Sequence, residues 1–163
     1  MAELTMSFAS ERELVHTAMR HLPLRQWLRV PKEAYLFQKT EVQGLFGIPD
    51  LVAAFAAPSE RETGPIRSIA FEMKLSNWRR GLMQAFRYRS FASTVFLVID
   101  DAGSRSAVAN SDRFKRANIG LVGLNADGSF HVYVWPEHED PYSPELQSTL
   151  NELVRTQSPT DFD

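Results

Sequence analysis

The stretch Ile69-Ala-Phe-Glu72-Met-Lys74-Leu decides the fold of this chain of 163 residues. Successive side chains on a β-strand point to opposite faces, so the alternating apolar residues of this stretch share one face. Glu72 and Lys74 share the other face. The stretch therefore predicts a strand that buries one face in a core and projects two charged side chains together into a cleft.

A second segment, Gly47-Ile-Pro-Asp50-Leu-Val, places another carboxylate at the start of an apolar run. Pro49 restricts the residue before it to extended conformations and so stiffens the start of this second strand. If the two strands are neighbours, Asp50 and Glu72 offer hard oxygen ligands that suit Mg²⁺ or Mn²⁺. Lys74 could position an attacking water or offset charge on a phosphate. Two carboxylates and one ammonium group are the minimum equipment for metal-dependent hydrolysis of a phosphodiester.

An acid-x-Lys triplet on its own is weak support, because short motifs of this kind arise often by chance. Its alternative interpretation is a solvated strand face with a local charge pair. A third element, Gln84-Ala-Phe-Arg-Tyr88, follows the triplet within a predicted helix. Gln84 and Tyr88 are four residues apart and lie on one helix face, from which they can cover the charged residues. The alternative for this pair is an ordinary position on a helix surface.

The three elements stand in the order Asp50, Glu72-x-Lys74 and Gln84-x-x-x-Tyr88. In this order they resemble the PD-(D/E)XK nuclease superfamily, and the last element resembles its RecB-like branch. The resemblance covers residues 10–99, and the ordered combination is more specific than any one element. It implies a restriction-endonuclease-like α/β fold, with a central mixed β-sheet flanked by helices and an α-β-β-β-α-β core.

The resemblance also implies roles for individual residues. Asp50 and Glu72 would bind the metal, and the main-chain carbonyl of Met73 would be available as a further ligand. Lys74 would act on the nucleophilic water. The helical pair described above would orient the site or touch nucleic acid.

Families of this kind often add a glutamate from an N-terminal helix, which the sequence predicts over residues 10–22. This helix begins with a Ser-x-x-Glu capping box, which accounts for Glu13. Glu11 precedes Leu14 by three residues and is therefore placed with the buried stripe, as the preferred extra ligand of the metal or water. The alternative is a solvated acid of the first turn, which the helix dipole favours. Glu41 is a second contender.

The length indicates one domain over residues 1–163, with a loose C-terminal tail from about residue 156. Zero cysteines exclude disulfides and thiolate zinc sites. The chain has no apolar run long enough to span a bilayer, and its N-terminus lacks signal-peptide features, so we expect no membrane contact and a cytoplasmic location. Strands are predicted at 34–40, 51–56, 66–75, 94–99, 119–124 and 130–135, helices at 77–91, at 111–118 and from 143, and a loop at 57–65. Asp100-Asp101, at a strand end, could bind a cation, but a solvated acid pair is the favoured interpretation.

The charge is unevenly distributed. Residues 73–99 contain five cations and no acid, which leaves −7 for the remainder of a chain whose net charge is −2. Arg79, Arg80 and Arg87 are predicted to bind backbone phosphates, although a solvated basic face is the alternative. Trp78 could stack on an unpaired base, but packing in the core is the favoured interpretation.

These patterns predict a nuclease that uses Mg²⁺ or Mn²⁺ and acts on nucleic acid, with DNA favoured over RNA. The alternatives are a catalytically inactive nucleic-acid-binding subunit and a protein-interaction subunit on the same fold. No separate recognition domain is evident, so strong specificity would need a homodimer or a partner protein. Phosphate-loop and dinucleotide motifs are absent from the sequence.

Overall fold

Six strands form one mixed sheet in the computed structural model, which describes residues 7–29, 35–56 and 66–156. The strands are β1 Tyr35–Thr40, β2 Leu51–Ala56, β3 Arg67–Lys74, β4 Thr94–Asp100, β5 Gly120–Leu124 and β6 Phe130–Val134. The helices are α1 Glu11–His21, α2 Leu24–Trp27, α3 Trp78–Tyr88, α4 Arg105–Ala109, α5 Ser111–Ala117 and α6 Pro144–Thr156, with a 3-10 turn at Asp101–Gly103.

The direction of the strands changes across the sheet. β1, β2 and β3 form an antiparallel meander, β3, β4 and β5 are parallel, and β6 returns antiparallel to β5. The parallel pairs are joined by helices, as parallel connections require. The predicted α/β class, with a central mixed sheet flanked by helices, is confirmed.

The two faces of the sheet support two separate cores. Phe71 and Met73 of β3 pack with Leu14 and other apolar residues of α1. The opposite face, which includes Ala70, packs against α3, α4, α5 and α6. β4 is buried on both faces, as its continuous apolar sequence predicts. The charged end of β3 therefore points toward α3 and away from the body of α1.

α1 begins with the predicted capping box. Ser10 Oγ accepts a hydrogen bond from the Glu13 amide at 3.2 Å, and a Glu13 carboxylate oxygen accepts one from the Ala9 amide at 3.1 Å. The role of Glu13 at the start of the helix is therefore structural.

The interpretation of Asp100 as a solvated acid is wrong. This residue is only 2% exposed and accepts hydrogen bonds from the Ser7 hydroxyl, from the Phe8 amide at 3.0 Å and from the Ala102 amide at 3.2 Å. The sequence shows only an acid after an apolar run, and two of its three donors, Ser7 and Phe8, lie more than ninety residues away. Asp100 fixes the chain that leads into α1 to the end of β4.

The predicted loop at 57–65 lies outside the described residues, as does the tail beyond Thr156. α2 and α4 were not predicted, because four or five residues are too few to establish a helical period. No helix within the described ranges combines the length and the apolar character needed to cross a membrane.

Candidate active site

The pairing of β2 with β3 brings the two predicted carboxylates together. Leu51 pairs with Phe71, and the Asp50 amide donates to the Phe71 carbonyl at 3.1 Å, so Asp50 lies opposite Glu72. Asp50 Oδ2 accepts a hydrogen bond from the Met73 amide at 2.7 Å. β2 and β3 are adjacent as predicted, and Asp50 lies directly before the first residue of β2.

Glu72 is the most enclosed acid of the site, with 3% of its surface exposed. Its Oε1 lies 3.2 Å from the Lys74 ammonium, and its Oε2 accepts a hydrogen bond from the Tyr88 hydroxyl. Both oxygens are therefore held by polar partners. A carboxylate can accept additional bonds on its remaining lone pairs, so these contacts orient Glu72 without exhausting it.

Lys74 lies between two acids. Its Nζ is 3.2 Å from Glu72 and 3.8 Å from Glu11, and its side chain is mostly buried. The placement of Glu11 in the buried stripe is wrong, because its side chain is 50% exposed at the start of α1. Glu11 nevertheless contacts the site, because its carboxylate forms an ion pair with Lys74.

A glycine allows α3 to pack onto Lys74. A Cβ at Gly81 would lie 2.8 Å from the Lys74 Cγ and 2.8 Å from a Leu97 methyl group. Both distances are shorter than any ordinary contact, so the helix could not pack this closely with a larger residue. Gly81 was not predicted as a site residue, since the sequence does not reveal how closely a helix approaches a strand.

Tyr88 connects α3 to the two acidic strands. It is buried, and its hydroxyl lies within hydrogen-bond distance of Glu72 Oε2 and, at 3.0 Å, of the Ile48 carbonyl. A hydroxyl has one proton, so it donates to one of these acceptors at a time. Gln84 lies one turn earlier, and within the described part of the chain its buried Oε1 has no hydrogen-bond partner. The predicted helical pair thus supplies one donor to Glu72 and one unused acceptor.

The environment shifts the pKa values of the site. Burial, followed by the charge of Asp50, raises the pKa of Glu72 to about 7 against the hydrogen bond from Tyr88 and the charge of Lys74. Burial also raises the pKa of Asp50, although the Met73 amide and Lys74 oppose it. Two carboxylates of this kind are costly to keep ionised without a cation beside them.

Glu41, the second contender, lies on the approach to Asp50. Its amide donates to the Asp50 carbonyl at 3.2 Å, and its backbone has a φ of 50°. The charges of Glu11 and Glu41 both add to the raised pKa of Asp50. Neither closes a metal cluster, because the described residues contain no group of three or more His, Cys, Asp or Glu side chains placed to hold a metal ion.

The donor set fits a hard divalent cation. Mg²⁺ commonly binds proteins through one or two carboxylates and takes its remaining ligands from water and substrate phosphate. Asp50 and Glu72 supply two such carboxylates, and in the described residues Asp50 Oδ1 accepts no hydrogen bond from the protein. A bound cation would favour the ionised form of both acids and so oppose the rise in their pKa values.

The cations of α3 have different environments. Trp78 is buried against Phe114, and its indole N–H donates to Ser106 at 3.0 Å, so the core position is confirmed and Trp78 is excluded from base stacking. The guanidinium of Arg79 lies 4.5 Å from the Trp78 ring and covers it. Arg80 and Arg87 are exposed.

Arg89 is held by other parts of the chain. It is buried, it donates to the Ala117 carbonyl at 2.8 Å, and it forms an ion pair with Glu139. Arg89 was not among the arginines predicted to bind phosphates, and two of those that were, Arg80 and Arg87, remain exposed.

Comparisons with protein-family models, with curated proteins and with solved structures found no match to this chain. The interpretation of the site therefore depends on its own residues and their geometry.

Proposed function

We propose that this protein is a nuclease that requires Mg²⁺ or Mn²⁺, has a restriction-endonuclease-like fold and hydrolyses phosphodiester bonds, with DNA as its substrate. One observation carries the proposal: Asp50 lies opposite Glu72 across two paired strands, and Lys74 contacts Glu72 from the same strand. Three groups from two separate segments of the chain thus offer the chemistry that phosphodiester hydrolysis needs.

Asp50 and Glu72 would hold the cation, with the Met73 carbonyl as a further ligand. A bound divalent cation supplies an acidified water and stabilises negative charge on the phosphate. The Met73 amide fixes one oxygen of Asp50. This leaves the other oxygen of Asp50 available for binding.

Lys74 contributes a positive charge beside the acids. Its ammonium, held between Glu72 and Glu11, can donate to an attacking water or to a phosphate oxygen that gains charge. Tyr88 keeps Glu72 in one orientation. Gln84 offers an acceptor for a proton of the water or of the substrate.

The first prediction concerns cleavage of labelled single-stranded and double-stranded DNA and RNA. Mg²⁺ or Mn²⁺ should support cleavage and EDTA should abolish it. Asp50→Asn, Glu72→Gln and Lys74→Met should each lower the rate by at least about a hundredfold, because each removes charge stabilisation at the reacting centre. The double variant of the two acids should be little worse than either single variant, since the groups act as a unit.

Glu152→Gln is the matched control for this experiment. It makes the same carboxylate-to-amide change at an exposed position of α6. It should cleave at the wild-type rate. A folded Glu72→Gln protein with wild-type activity, or cleavage that continues in EDTA, would contradict the proposal.

A further inference from the structure

The loop that joins β1 to β2, residues 41–49, presents apolar side chains to solvent beside the candidate site. We call it the hairpin loop. Phe46 is 52% exposed and Ile48 54% exposed, whereas Val42 is buried. Such side chains are costly to leave in water next to a charged site, which points to a bound partner at this position.

The hairpin loop is held in place by the site. Gly47 has a φ of 79°, and a Cβ there would lie 3.0 Å from Cε1 of Tyr88. The Tyr88 hydroxyl is 3.0 Å from the Ile48 carbonyl. The exposed ring of Phe46 therefore belongs to a segment that packs on the tyrosine of the site and leads within four residues to Asp50.

One cation borders the exposed ring, and a second lies on the same helix face. The Arg87 guanidinium lies 5.7 Å from the centre of the Phe46 ring, and Arg80 lies seven residues earlier on the same face of α3. Met83, 67% exposed, lies between them on the helix. An aromatic ring beside a helix face that carries two exposed arginines suits a strand that offers both a base face and phosphates.

We propose that the strand entering the site is unpaired, that one of its bases stacks on Phe46, and that Arg80 and Arg87 bind the flanking phosphates. Bases in a duplex are already stacked on one another and cannot offer a face to a side chain. The acid-free sequence of residues 73–99 favours a polyanion over a protein partner at this surface. The inference depends on the proposed function for the identity of the site that the strand enters.

The test measures the binding of fluorescently labelled oligonucleotides, single-stranded and double-stranded, by anisotropy in EDTA, which prevents cleavage. The single strand should bind more tightly than the duplex. Phe46→Leu should weaken single-strand binding by about tenfold, because one stacked base is lost. Phe46→Trp, which keeps a ring, should retain the wild-type affinity.

Phe86→Leu is the matched control. Phe86 is also an exposed phenylalanine, but it lies on another flank of α3, where it packs against Tyr142 with ring centres 6.1 Å apart. Its replacement should change the affinity by less than about twofold, since no base is expected to stack there.

A second arm tests the phosphate contacts. Replacing both Arg80 and Arg87 with Gln should flatten the plot of log affinity against log salt by about 0.7 per contact for a single strand. Replacing Arg105 and Arg116 with Gln removes the same charge from exposed positions of α4 and α5, and it should leave the slope unchanged.

Two binding results would overturn the inference: an unchanged single-strand affinity in Phe46→Leu, or duplex binding as tight as single-strand binding. A third would be a dimer of the protein that Phe46→Leu dissociates while the oligonucleotide affinity stays the same, because Phe46 would then contact a second copy of the chain. Metal-dependent duplex cleavage that Phe46→Leu leaves unaltered would also reject it, and the proposed nuclease would still stand. Conversely, single-strand binding through Phe46 with no cleavage in any metal would reject the nuclease and leave this surface as a strand-binding site.

Discussion

Glu72 is a buried acid whose surroundings disfavour its ionised form. Its carboxylate is enclosed by β3 and α3, and the nearest formal cation, Lys74, is shared with Glu11. Burial and the facing Asp50 outweigh the favourable contacts, so the pKa of Glu72 rises to about 7. The ionised form is therefore less stable in the folded chain than in the unfolded chain.

The second prediction follows from this shift. The ordinary pKa of this acid is 4.5 and the folded value is about 7, so the folded state holds the proton more tightly. In EDTA, the contribution of Glu72 to the free energy of unfolding should therefore be highest below about pH 4.5. This contribution should fall by about 3 kcal/mol as the pH rises to 7. Urea denaturation at pH 5 and pH 8 measures the difference.

Two controls isolate the contribution of Glu72. Glu72→Gln should lose most of this dependence on pH, whereas Glu152→Gln should keep it. Mg²⁺ should restore stability at pH 8 more than at pH 5, because protons compete with the cation for the carboxylate. An identical pH dependence in Glu72→Gln would show that other groups cause it.

At the residue scale, the sequence predicts those parts of the site that depend on local spacing. The alternation of β3 places Glu72 beside Lys74, and the helical repeat places Tyr88 toward the sheet. Glu11 was predicted to lie near the site because it was assigned to the buried stripe of α1, and that reason was wrong. Its contact with Lys74 depends on where α1 begins relative to the end of β3, and a period along one helix does not contain that information.

Among the elements, the hairpin loop was the least predictable part of the site. Its conformation depends on left-handed glycines and on contacts with α3, about forty residues away. The strands were predicted well, because alternation or continuous apolar sequence reflects burial directly. The two shortest helices, α2 and α4, were missed.

The third prediction tests the fit between the hairpin loop and α3. Gly44 and Gly47 have φ values of 88° and 79°, which strain any residue with a Cβ. Gly44→Ala should therefore lower the free energy of unfolding by about 1 kcal/mol, as its Cβ would meet open space. Gly47→Ala should cost at least about 1 kcal/mol more, because its Cβ also presses on Tyr88.

Thermal or urea unfolding of the two variants measures this difference. Because both replacements introduce the same methyl group at similar backbone angles, the excess cost reports the contact with Tyr88. Gly47→Ala should also reduce cleavage, since Tyr88 orients Glu72. Equal costs at the two glycines would show that the hairpin loop is not packed against the site.

For the whole molecule, Asp100 is the link between the sheet and the N-terminal helix. Its burial could not be predicted, since its donors at Ser7 and Phe8 precede α1 and are distant in the sequence. The general architecture could be predicted, because strand and helix patterns alternate along the chain in the manner of α/β proteins. The detailed packing of α1 on the sheet could not be predicted from the sequence.

The fourth prediction concerns this link. Asp100→Ala leaves the buried Phe8 amide without its acceptor, so the free energy of unfolding should fall by about 2 kcal/mol. Amide hydrogen exchange should accelerate at the start of α1 before it does so in β4. Asp140→Ala removes an exposed acid and should change neither measurement. Unaltered exchange in α1 would show that its apolar contacts suffice to anchor it.

The order of the strands in the sheet, from β1 to β6, is also their order along the chain. Each strand therefore pairs with the one synthesised just before it, and the entropy lost in closing each loop is small. The sheet can grow strand by strand as the chain leaves the ribosome. α1 is the exception, because Phe8 must wait for Asp100, 92 residues later. Although Glu11 is made first, it can come to rest beside Lys74 only after β3 has been synthesised.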